Sequence, residues 1–288
     1  MSVPPQDPLP ALSENAEGEL LPAVPAPPAP ENLVPEDLRV PWSWGDLFLL
    51  LPVAFVAYLV LSIVMFAVSY FAFGITPSDF QRSKSLFSLF AVVAQVFLSV
   101  AILFYLFIVI RLRCGVPFWK TIGWRNLEPF HISRRLTYPA LVFGGAFLAV
   151  LIQFASAPFE KKVKLPIEQY FQDPHSALML MLMGLLIAPL FEETIFRGYI
   201  YPVIARRFGI GSGIFVTGTL FGLMHAVQLW GGWMQIFLLI VVGIVFTYAR
   251  AAFRSVLASY LLHVSYNGFL FAAFLVATHG LRHFPAPN

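Results

Sequence analysis

Long apolar runs separated by short polar breaks fill the chain from residue 46 onward. They fall near 47–73, 86–110, 137–156, 176–193, 211–230, 233–250 and 256–278. A helix needs about 20 residues to cross a hydrocarbon core, and these runs approach or exceed that length. The pattern predicts an all-α, polytopic membrane bundle of about seven transmembrane helices. The fourth run is short and is expected to continue as helix beyond the acidic pair that ends it. Trp42 and Trp44 suit an interfacial belt ahead of the first span.

Residues 1–45 have a different texture. Eleven of the 23 prolines lie there, and acidic residues far outnumber the one basic residue, Arg39. Such a segment cannot bury enough apolar surface to order itself, so a disordered, acidic, Pro-rich tail is expected. It has no basic start followed by an apolar core, which excludes a cleavable signal peptide. The domain proper is then 46–288.

Basic residues set the orientation. Arg111, Arg113, Lys120, Arg125, Arg134 and Arg135 follow the second span; Arg197, Arg206 and Arg207 follow the fourth; Arg250 and Arg254 follow the sixth. In an alternating chain these share one side, which the positive-inside rule makes cytoplasmic. Lys161, Lys162 and Lys164 run against the trend. The expected arrangement is multi-pass in the cell's inner membrane, with the N-terminus cytoplasmic and the C-terminus external.

Composition sharpens this picture. The chain is 59% hydrophobic and 11% charged, against about 25% charged in average proteins. The net charge of +3 reflects loop residues, and the basic clusters are too short for a nucleic-acid face. A single cysteine, Cys114, excludes an internal disulfide and a thiolate metal cluster.

Against that apolar background a few polar residues stand out. The fourth run ends in Glu192–Glu193, with Arg197 four residues after the second acid. Ionisable groups at bilayer depth cost roughly 2.5–3.5 kcal/mol each, so they are rare and usually functional. On a helix the two acids point about 100° apart and cannot serve one cavity. Glu193 and Arg197 are spaced to pair, which leaves Glu192 facing a site. The fifth run holds Phe221 and, four residues on, His225, with Gly222 leaving room for a helix or a substrate. The seventh holds His263 and Asn267 on one helix face. If these converge, Glu192 supplies a carboxylate base, His225 an imidazole that orients or deprotonates water, and His263 and Asn267 two oxyanion donors. Those are the parts needed for water to attack a carbonyl. Singly, each has a plainer explanation as an interhelical strut or an interfacial acid. His131, His175, His279 and His283 fall in loops or the tail and read as solvated. Ser212 lacks the glycine two residues earlier of a rhomboid-type motif, and Ser43 stands where an aspartyl Gly-x-Gly-Asp motif needs glycine.

Glu192–Glu193 to Arg197, Phe221 to His225 and His263 to Asn267 make Glu-Glu-x-x-x-Arg, Phe-x-x-x-His and His-x-x-x-Asn, in order on successive apolar runs. The chain therefore resembles the CAAX-protease and bacteriocin-processing family, over roughly 137–278. The resemblance implies an intramembrane endopeptidase. Glu192 and His225 would activate water, His263 and Asn267 would form the oxyanion site, and Glu193 and Arg197 would support them. No cofactor is implied as required; the alternative is zinc held by Glu192, His225 and His263. Asn267 is a poor zinc ligand, and the chain has no His-Glu-x-x-His segment. The implied partners are the lipid bilayer and a peptide or protein substrate, with a lipidated C-terminus suggested by the family name. A non-proteolytic scaffold or immunity-type protein of the same family is the competing reading, and a proton-relay transporter a third.

Overall fold

The computed structural model describes residues 12–14, 20–22, 34–127, 134–159, 166–167 and 173–282. The chain divides into two units, 1–35 and 36–288. In the first, β1 (Leu12–Glu14) pairs antiparallel with β2 (Leu20–Pro22), Leu12 opposite Pro22. Apart from residues 34 and 35, the rest of that unit lies outside the described residues. The second unit is helical: α1 (Trp44–Phe73), α2 (Pro77–Arg82), α3 (Lys84–Phe107), α4 (Phe118–Thr121), α5 (Arg134–Ser156), α6 (Pro174–Leu182), α7 (Ala188–Glu193), α8 (Tyr201–Phe208), α9 (Ile210–Met224), α10 (Trp233–Phe253) and α11 (Val256–Ala277). Among the described residues six continuous helices are long and apolar enough to cross a membrane: 44–73, 85–113, 135–156, 174–208, 233–253 and 256–277. α9 is a shorter apolar helix. The protein is thus an all-α, multi-pass membrane bundle.

Three expectations need correction. The fifth run, expected as helix to residue 230, stops at Met224 and gives way to turns, so His225 sits at a helix end. The expected tail boundary at 45 comes earlier, because Glu36–Leu38 forms a single helical turn and Asp37, Leu38, Val40 and Trp42 are all buried. Trp42 does not face the headgroups. It is 1% exposed, stacks on Tyr199 at 5.0 Å, and donates its indole N–H to the Tyr199 carbonyl at 3.0 Å. A buried indole N–H needs such an acceptor. Arg206 and Arg250, counted above as loop cations, also hold this segment. Arg206 donates to the Val40 carbonyl, and buried Arg250 pairs with Asp37 at 2.8 Å. Outside the spans, Thr76 caps α2 with its hydroxyl and N–H on Asp79, which holds that carboxyl below its usual range.

Helices in lipid associate through close packing, since the tails are as apolar as the side chains. α9 and α10 meet through Gly218, Gly222 and Gly243. A Cβ on Gly222 would lie 2.7 Å from the Ile240 nitrogen, so nothing larger fits. The room beside His225 is therefore filled by a neighbouring helix. α5 lies along α11, whose Ser265 donates to the Val142 carbonyl. Leu141, Ala149, Val242, Phe246, Leu262 and Tyr266 form a core beneath the site. α1 faces outward with Phe55, Ile63 and Phe71 exposed, a surface that suits lipid.

Candidate active site

The acidic pair sits between two wide turns in one long helix, and prolines explain both. Residues Met183–Ile187 and Thr194–Ile200 are π-helical, flanking α7. Proline has no N–H, and its ring collides with the carbonyl four residues back in a regular helix. Pro189 and Pro202 aim that collision at Leu185 and Gly198, each inside a wide turn. Such turns cluster at functional sites. The first turn also frees a carbonyl. The Ala188 N–H bonds to the Met183 oxygen five residues back, so in that register the Gly184 oxygen would be assigned to Pro189, which has nothing to donate. Asn267 supplies the missing donor, with its amide nitrogen 2.7 Å from the Gly184 oxygen.

The two acids diverge as helical geometry requires. Glu193 and Arg197 are fully buried and pair at 2.9 Å. The same Glu193 Oε1 lies 2.8 Å from Nδ1 of His263. Arg197 gives two further donors to the Thr247 hydroxyl at 3.1 Å and the Gly243 carbonyl at 2.8 Å, both on α10. The Phe221 ring covers its guanidinium carbon at 4.4 Å, a cation–π contact in a desolvated place. A buried charge pair is tolerable only where further hydrogen bonds of this kind offset its desolvation.

Glu192 is 19% exposed and faces both imidazoles. Nε2 of His225 is 3.9 Å from one carboxylate oxygen, and Nε2 of His263 is 3.8 Å from the other. Both separations exceed a direct hydrogen bond and suit a water bound to the side of each line. The ring orientations have identifiable causes. His225 follows the last turn of α9, and its Nδ1–H donates to the Phe221 carbonyl at 2.9 Å, one of the carbonyls a helix end leaves unpaired. A carbonyl only accepts, so neutral His225 presents an unprotonated Nε2 to Glu192. A carboxylate likewise fixes Nδ1–H of His263 and turns its Nε2 the same way.

The structure thus brings Glu192, His225 and His263 together, with Glu193 and Arg197 behind them. Asn267 follows His263 by one turn of α11, and one of its two N–H donors is held by the Gly184 carbonyl. Among the described residues no three His, Cys, Asp or Glu side chains are arranged to hold a metal ion. Thr247, Gly243 and Asp37 were missed from sequence. The one available hint for Thr247 was a hydroxyl four residues after a glycine in an apolar run.

A family model described as Type II CAAX prenyl endopeptidase Rce1-like matches residues 174–269, a shorter stretch than 137–278 but one holding Glu192, Glu193, Arg197, His225, His263 and Asn267. No curated protein and no solved structure matches the chain.

Proposed function

The chain belongs to the CAAX-protease family, and from that premise we propose that this intramembrane endopeptidase cuts peptide bonds with water activated between Glu192 and His225. The observation that carries the reading is the carboxylate of Glu192 held between two imidazole nitrogens at 3.8 and 3.9 Å. Glu192 removes a proton from water while unprotonated Nε2 of His225 accepts its second hydrogen bond. The hydroxide attacks the scissile carbonyl, and charge develops on that oxygen. The second N–H of Asn267 is available to it. Nε2 of His263 serves as the other donor by receiving from Glu192 the proton taken from water, with Glu193 balancing the charge. Proton return to the leaving amine completes the cycle.

The substrate is a peptide or protein whose cleaved segment reaches the site from the bilayer, a lipidated C-terminus being the class the family name suggests. In this reading the basic residues that follow the second, fourth and sixth apolar runs lie in the cytoplasm with the N-terminus, and the C-terminus lies outside the cell's inner membrane, which requires the shorter α9 to serve as a seventh span. The test is cleavage of a peptide library by the purified protein in nanodiscs, with and without a zinc chelator, beside Glu192→Gln and His225→Ala. Wild type should cut, both variants should lose about 100-fold or more, and the chelator should change nothing. Activity retained by Glu192→Gln overturns the mechanism, and loss on chelation favours a metal. A wild type that cuts nothing, with biological function surviving Glu192→Gln, identifies a scaffold.

A further inference from the structure

We propose that Thr247, on a helix that carries none of the three motifs, is a positioning residue that sets the direction of His263 through Arg197 and Glu193. The inference rests on the hydrolase reading for its kinetic consequence but on geometry for its substance. Thr247 is fully buried at mid-helix in α10. Its hydroxyl donates to the Gly243 carbonyl at 2.7 Å, which fixes the direction of its lone pairs. One lone pair accepts Nε–H of Arg197 at 3.1 Å, while NH2 of the same guanidinium reaches the Gly243 oxygen at 2.8 Å. α10 therefore grips two donors of a rigid planar fork, and a planar group held at two points has no free rotation left. The third donor, NH1, is then aimed at Glu193 Oε1 at 2.9 Å, the oxygen that also takes Nδ1 of His263 at 2.8 Å. The alternative is that Thr247 satisfies only its own hydroxyl. That requirement is already met within α10, so it does not account for the second contact, to an arginine on another helix.

A valine at 247 keeps the shape and removes the acceptor, leaving a buried guanidinium N–H without a partner and the fork free to turn. Displacements of about 1 Å at supporting positions cost on the order of 100-fold in rate. The full chain, labelled with 15N-histidine in nanodiscs, should show a downfield Nδ1–H resonance, assigned by its absence from His263→Gln. In Thr247→Val that resonance should shift or vanish and kcat on a cleaved library peptide should fall about 10–100-fold, with KM changed less than about twofold. Thr247→Ser should recover both, and Thr247→Ala should behave as Val if Val fails to insert. The proposal is overturned if the resonance is unchanged in the Val and Ala variants, if kcat stays within about twofold of wild type, or if Ser fails to recover the signal. A wild type that cleaves nothing defeats the hydrolase reading alone, because the resonance still decides where Thr247 acts.

Discussion

His263 meets Glu193, not Glu192, in its short contact: Nδ1 is 2.8 Å from the Glu193 carboxylate, whereas Nε2 stands 3.8 Å from Glu192. The adjacent acids are thereby divided. One is consumed by holding an arginine and a histidine, and the other stays open to the site. Four consequences can be measured.

Glu193→Ala strands Arg197 as an unpaired charge where both partners are fully buried. Breaking a buried pair from one side costs about 3–5 kcal/mol. The variant should unfold well below wild type in detergent thermal melts, while Glu192→Gln, at a partly exposed position, should melt close to wild type.

Asn267→Ala removes the donor to Gly184 together with the second amide N–H. Loss of one oxyanion donor typically costs about 100–1000-fold in rate. Peptide cleavage should fall by that order with substrate affinity little changed, as read from separate kcat and KM values.

Pro189→Ala restores a backbone N–H that can reach the Gly184 carbonyl in competition with Asn267. Cleavage should drop although the helix gains a hydrogen bond and thermal stability does not fall. The altered register would appear as added hydrogen-exchange protection around residue 189.

Asp37→Ala uncovers Arg250, which is 1% exposed and held at 2.8 Å. A penalty of about 3–5 kcal/mol is expected, measured as a lowered melting temperature.

Much of this protein is decided locally. Apolar runs of span length must become helices, because a backbone in lipid has to satisfy its own hydrogen bonds. An acid four residues before an arginine must share its face, so the Glu193–Arg197 pair could be read from spacing alone. Prolines 189 and 202 act locally too, each colliding with the carbonyl four residues back where the helix widens. The sequence could not say that Trp42 and Asp37 fold back onto the bundle, because a proline-rich acidic stretch reads as tail until a buried carbonyl and a buried arginine are known to await it. Nor could it say that the helix of His225 ends at Met224, that Gly222 admits Ile240, or that Asn267 spends one donor on Gly184. Those are contacts between residues far apart in sequence, and local spacing fixes the face a side chain occupies without fixing what it faces. Only the packing of α9, α10 and α11 against the broken helix decided that.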